Sequence, residues 1–132
     1  MTSIGGQVGW TAVSDSRIKK NIINTHYGIS TVMQLRPVEY MLKSNDLKQV
    51  GFIAQEVQKL VPEVITGKEG DLEKGEILGI TYANLVPVLT KAIQEQQKQL
   101  EEQNKQIDQQ NKKIDDLNKK MDQVLELLKT KK

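Results

Sequence analysis

Ser14 and Lys19 are the residues whose types and spacing could do chemistry here. They lie in the segment Ser14-Asp15-Ser16-Arg17-Ile18-Lys19-Lys20-Asn21-Ile22. A serine hydroxyl is a weak nucleophile until a neighbouring base takes its proton, and a neutral lysine amine is one such base. The spacing sets a geometric condition. In one continuous helix, residues five apart point roughly 140° away from each other. Ser14 therefore meets Lys19 only if it is extended, with a helical turn starting at or after Asp15. Read without that condition, Ser14 is a helix N-cap and Lys19 a solvated lysine. Ser14, Asp15 and Ser16 are all residue types that cap helices. For Lys19 to act as a base, its surroundings must lower its pKa by burial or nearby positive charge, and Arg17 and Lys20 are at hand to supply the latter. Asp15 is assigned to capping or to orienting the loop.

Other candidates for chemistry are weaker. His26 is the sole histidine and sits in a turn, Asn24-Thr25-His26-Tyr27-Gly28, where a surface or capping role is the simpler reading. Glu56 falls on a predicted helix among polar neighbours and reads as a solvated position. The sequence holds no metal-ligand cluster, phosphate-binding glycine loop or histidine-based triad, so no cofactor or metal is expected. It contains no cysteine, which removes disulfides and thiolate metal sites.

The elements that must position Ser14 and Lys19 follow from the pattern of the chain. With 132 residues and a formal net charge of +2, there is room for one modest domain, without the basic face that nucleic acid needs. No apolar run reaches membrane-spanning length, and the N-terminus lacks a charged stretch followed by an apolar one. Residues 1–13, with their glycines and the alternation Val8, Trp10, read as a loop and a short extended piece. They are expected to be the tail end of an upstream domain. Ile29, Val32 and Met33 have helical spacing that should stop before Pro37. Val38–Leu42 alternates as a strand, and Ser44-Asn45-Asp46 is a turn. Val50–Ile53 reads as a short buried strand, with Gly51 marking close backbone packing. Ala54, Val57, Leu60 and Val61 then follow helical spacing up to Pro62. Val64-Ile65-Thr66 and Ile77–Ile80 read as a β-hairpin around a charged, solvated loop.

From Tyr82 to about Lys129 helical propensity is interrupted only by Pro87, which a first turn tolerates. That span is roughly 70 Å long at 1.5 Å per residue. Its apolar residues recur every seventh position: Val86, Ile93, Leu100, Ile107, Ile114, Met121 and Leu128. A second row follows three residues later: Leu89, Gln96, Gln103, Gln110, Leu117 and Val124. Taken as a and d, these rows predict a coiled coil. A register pairing the first row with Gln97, Asn104, Asn111, Asn118 and Leu125 captures fewer apolar residues. Three successive glutamine layers at d weaken the middle of the coil. The flanking positions are mostly Asn and Gln, then Lys, with few ion-pair partners. The pattern fits a plain oligomerisation stalk or separable arms that lie along another surface, and the heptads alone leave two and three strands open. The fold class expected is α+β: a small mixed helix/strand domain, residues 14–81, followed by a long C-terminal helix, residues 82–132, in a parallel coiled coil.

Three stretches in this order resemble the peptidase S74 domain, the intramolecular chaperone at the C-terminus of phage endosialidases and other tail fibres and tail spikes. They are Ser14-Asp15-x-Arg17-Ile18-Lys19, then Gly51-Phe52-Ile53-Ala54-Gln55-Glu56-Val57, then Tyr82-Ala83-x-Leu85-x-Pro87-x-Leu89-x-Lys91-Ala92-Ile93-Gln94-Glu95-Gln96. The resemblance implies a homotrimer that promotes folding and trimerisation of an upstream fibre or spike, then releases itself by autoproteolysis. It implies a cut at Val13–Ser14, with Ser14 as nucleophile and Lys19 as general base of a serine-lysine dyad. It also implies a setting in the host cytoplasm during virion assembly, or in the tail fibre or spike if the piece is retained, with a bacterial cell surface as the alternative. The competing function is a trimerisation cap that never cuts itself and stays attached.

Overall fold

The computed structural model describes residues 11–131. The expected extended piece around Val8 and Trp10 lies outside the described residues. The rest is a small mixed helix/strand domain with one long C-terminal helix, the architecture expected from the sequence.

Two antiparallel hairpins and two short helices build the domain. Strands β1 (Val38–Met41) and β2 (Lys48–Gly51) pair with Val38 opposite Gly51 and Met41 opposite Lys48. Their turn closes through the Asn45 side chain, whose Oδ1 accepts the Leu47 N–H at 3.1 Å, and through Asp46 at φ 53°. Asparagine and aspartate suit such a turn because their short polar side chains bond locally and tolerate left-handed backbone. Strands β3 (Ile65–Thr66) and β4 (Gly79–Ile80) pair Ile65 with Ile80 and form the second hairpin.

Helix α1 (Ile29–Val32) is a single turn, and α2 (Ala54–Gln58) is little longer. The sequence predicts a helix running from Ala54 to Val61. The structure stops it at Gln58, after which Leu60 and Val61 both donate their N–H groups to the Val57 carbonyl at 2.9 and 2.8 Å. Pro62 then opens a 3-10 turn, Pro62–Val64. A proline disfavours the α conformation in the residue before it, so the helix loosens ahead of Pro62. Val64, expected as the first residue of a strand, is buried in that turn instead.

The core is small. Val57, Val61, Val64, Leu85 and Val88 form its centre, and Tyr27, Val32, Leu35, Phe52, Leu60, Ile65 and Ile80 pack around them. Two sequence expectations change here. Val50 is 75% exposed, so Val50–Ile53 is not a buried strand. Nothing among the described residues covers the β1–β2 hairpin over most of its length, and only its Gly51 end reaches the core. Met33 is likewise exposed, because α1 ends after one turn and points Thr31, rather than Met33, inward.

Helix α3 (Val86–Thr130) runs for 45 residues behind a 3-10 turn, Tyr82–Leu85. Pro87 sits in its first turn, where no N–H is missed. The helix presents two different faces. Val88 and Ala92, together with Leu85 of the preceding turn, are buried against the domain. The seven-residue row begins with Val86 and Ile93 roughly 120° around the helix from them, and Val86, Ile93, Leu100, Ile107, Ile114, Met121 and Leu128 are all exposed. The single chain thus uses one face of α3 to complete its own core and leaves the apolar seam uncovered.

Candidate functional site

The turn that places Ser14 beside Lys19 is built by Asp15. Asp15 has extended backbone, φ −66° and ψ 134°, and caps a 3-10 turn, Ser16–Ile18, by accepting the Arg17 N–H at 2.8 Å. The same carboxylate pairs with the Arg17 guanidinium, with Nε to Oδ1 at 3.0 Å. Ile18 and Lys19 donate their N–H groups back to the carbonyls of Asp15 and Ser16. Lys19 then leaves the turn extended, at φ −106° and ψ 148°. Ser14 precedes the turn and Lys19 follows it, so their side chains come back to one another.

The Lys19 Nζ donates to the Ser14 Oγ at 2.7 Å. This is the arrangement that a Ser-Lys pair five residues apart requires, and it is reached by the local route set out from the sequence: Ser14 outside the turn, with the turn beginning after Asp15. Hydrogen bonds from Arg17 hold the Asp15 carboxyl below the ordinary aspartate range. The same contact raises Arg17. Asp15 and Arg17 therefore satisfy each other and define the turn.

Both Ser14 and Lys19 are exposed in the single chain, and so is the whole stretch from Thr11 to Asn24. Val13, Ile18, Ile22 and Ile23 are all more than three-fifths exposed. Asn21 takes φ 53°, a left-handed bend that separates Lys20 from the two isoleucines.

The other sequence candidates stand apart from this pair. His26 is exposed and lies against the Tyr27 ring at 4.1 Å between centroids. Among the described residues no hydrogen bond joins His26 to Ser14 or Lys19. Glu56 takes Arg36 as partner, with Nε to Oε2 at 3.1 Å, which lowers its carboxyl from the usual value. It is a structural ion pair across the domain. No group of potential metal ligands occurs among the described residues. No helix there is long and apolar enough to cross a membrane.

Several contacts that hold the site's scaffold were not read from the sequence. The Tyr82 hydroxyl accepts the Phe52 N–H at 3.0 Å, and a Cβ on Gly51 would collide with that hydroxyl. The Glu95 carboxylate accepts the Ile29 N–H at 2.8 Å. Tyr27 donates to the Glu63 carboxylate at 2.9 Å. The loop expected to be merely solvated also walls a cavity of about 640 Å³ between α2 and the second hairpin, with Tyr40, Phe52, Leu78, Ile80 and Tyr82 among its lining residues. The apolar Leu72 and Ile77, embedded in an otherwise charged loop, were the available signal.

Residues 14–66 match the peptidase S74 family, chaperone of endosialidase. The match begins at the serine that Lys19 contacts and ends in β3. It contains the Ser14–Lys19 motif and the Gly51–Val57 motif, which the structure uses as the candidate site and as the strand-to-helix step beside the core. The third stretch of the resemblance, Tyr82–Gln96, lies beyond the matched residues, but packs against them through Leu85, Val88 and Ala92. The S74 match supports a chaperone role, with a fibre-type client and a setting in phage assembly. Its peptidase designation fits a domain related to peptidases.

Proposed function

We propose that this chain is an intramolecular chaperone that helps an upstream fibre or spike to fold and trimerise, and then cuts itself free at Val13–Ser14. The observation that carries the reading is the 2.7 Å contact between Lys19 Nζ and Ser14 Oγ, on a segment matched to the S74 family.

The reaction follows from those two groups. A neutral Lys19 amine takes the Ser14 hydroxyl proton. The Ser14 oxygen attacks the carbonyl carbon of Val13, its own preceding peptide. The peptide C–N bond breaks, and Lys19 returns the proton to the departing Ser14 nitrogen, which becomes a free amine. Water then hydrolyses the resulting ester, leaving a carboxylate on Val13 and restoring the Ser14 hydroxyl. Backbone N–H groups at a helical turn are suited to stabilise the oxyanion. Each molecule turns over once. Residues 1–13 go with the client, and residues 14–81 and 82–132 leave as the chaperone domain and its coil.

A lysine amine serves as a base only in a site that disfavours its charged form. In the single chain Lys19 is exposed. The cut therefore waits for a second surface to cover it, and assembly supplies that surface. The apolar a and d positions of α3, uncovered in the single chain, support association through a parallel coiled coil, three-stranded as the family resemblance implies, with the glutamine layers at Gln96, Gln103 and Gln110 keeping its middle loose. Cutting then reports correct assembly, and losing the chaperone makes upstream trimerisation hard to reverse. The setting is the host cytoplasm during virion assembly.

The seam alone would also serve a cap that trimerises and stays attached. Ser14→Ala separates the two. Under self-cleavage it abolishes the fragment beginning at Ser14, as read by mass under denaturing conditions, and Lys19→Ala reduces it strongly. A wild-type chain that trimerises and never yields that fragment leaves the attached cap as the function.

A further inference from the structure

The arm Ser14–Ile23 is exposed along its whole length in the single chain. The arm carries Ile18, Ile22 and Ile23 as exposed aliphatic side chains, and Val13 just before it is exposed as well. An apolar cluster of this kind on a short segment is what an interface buries. The arm also carries Arg17, Lys19 and Lys20. Arg17 is occupied by Asp15 and Lys19 by Ser14. Lys20 has no ion-pair partner among the described residues.

The complementary surface is the cavity between α2 and the second hairpin. Its walls are aromatic and aliphatic, and its volume of about 640 Å³ is ample for two isoleucine side chains. Its rim is acidic. Glu76 is taken up by Lys68 at 2.6 Å and by the Asp71 N–H at 2.8 Å. Glu69 accepts only from the neutral amide of Gln55, at 3.1 Å, and has no cationic partner among the described residues. Leu72 and Ile77, both more than half exposed, line the same opening.

We propose that the arm of one chain docks in this cavity on a second copy of the chain, with Ile22 and Ile23 against Leu72 and Ile77 and with Lys20 paired to Glu69. The inference rests on the trimer reading above and deepens it. Docking brings the segment that carries Lys19 against a neighbour's hairpin loop and makes each cut depend on that loop. Apolar burial supplies most of the docking free energy, and the single charge pair sets the register of the arm. Glu69 is a positioning residue in this arrangement and touches no reacting atom.

The chain contains no cysteine, so introduced cysteines can pair only with each other. Chains carrying Ile22→Cys and differently tagged chains carrying Ile77→Cys are assembled together, oxidised and separated under denaturing conditions. Docking predicts a disulfide between the two tags, and no such product when Met33→Cys replaces Ile77→Cys. In parallel, Glu69→Lys is expected to slow the appearance of the Ser14 fragment at least about tenfold without dispersing the trimer, and adding Lys20→Glu should recover most of the rate. Trimers that form no cross-tag disulfide, or a doubly substituted chain that joins only within itself, would overturn the docking. So would Glu69→Lys trimers that cut at the wild-type rate, and self-cleavage would survive that result. Cross-tag disulfides in trimers that never cut would support the docking and remove the peptidase reading instead.

Discussion

The Glu95 carboxylate on the long helix accepts the Ile29 N–H at the start of α1, 66 residues earlier in the chain. An added Cβ on Gly28 would strike that carboxylate, so the glycine and the glutamate form one joint. It fixes the orientation of α3 on the domain, and with it the face of α3 that remains free. Glu95→Ala leaves a partly buried N–H without its acceptor and should destabilise the domain by about 1–2 kcal/mol, measured by urea unfolding. Helical signal from the distal part of α3 should be unaffected in the assembled protein. Gly28→Ala should produce a loss of similar size, because the side chain has to push Glu95 away.

Val57 and Val50 are both strand-favouring residues near the same motif, yet the structure separates them completely. Val57 is 1% exposed and Val50 is 75% exposed. Val57→Ala should cost about 2 kcal/mol through lost burial and a cavity. Val50→Ala should stay within about 0.5 kcal/mol. Equal losses at the two positions would contradict the packing described here.

These two valines also show how far the sequence was legible. Alternation and turn residues located two strands and the turn between them in the first hairpin, and the second hairpin as such, since period-two patterning and the Ser44-Asn45-Asp46 turn are local signals. They do not say which face of β2 has something to cover it, so the apolar Val50 reads as buried while it is in fact exposed. Helical spacing carried Val57 and Val61 to the core correctly but ran α2 past Gln58, because apolar periodicity persists through the looser turns before Pro62. The Ser14–Lys19 contact was legible because its geometry depends on six consecutive residues, one of them the capping Asp15. The Glu95–Ile29 and Tyr82–Phe52 bonds were not, because they join residues far apart in the chain and depend on how α3 sits on the domain. The seven-residue rows of α3 were visible at once. The burial of Val88 and Ala92 against the domain depends on tertiary packing and leaves no mark in those rows.

Arg36 and Glu56 should give the domain an acid-sensitive contact. The hydrogen bonds from Arg36 lower the Glu56 carboxyl from its usual value, with a smaller contribution from nearby positive charge. A carboxylate lowered by folding stabilises the native state above its unfolded pKa, and that contribution is lost as pH falls through the lower folded value. Glu56 should therefore titrate below the ordinary glutamate value of about 4.3 when followed by carboxyl NMR shifts. Arg36→Met should return its midpoint toward that value. A Glu56 midpoint unchanged by Arg36→Met would show that the pair does not persist in solution.

Gln96, Gln103 and Gln110 place three amide layers in the proposed seam. Replacing all three by leucine should raise the thermal stability of the assembly and tighten its association, because apolar d residues pack better than amides in a coil. The same replacement should hinder any separation of the arms from one another. If the triple variant associates no more tightly than wild type by sedimentation, the a and d assignment is wrong.

The central claim is that assembly licenses the cut at Val13–Ser14. The most direct test separates freshly prepared protein by size with light scattering, incubates each fraction, and takes the intact mass of its chains under denaturing conditions. The account predicts that a fragment beginning at Ser14 appears in the trimer fraction, is absent from monomer, and disappears from both with Ser14→Ala. Cleavage at that bond by a stable isolated monomer would contradict it.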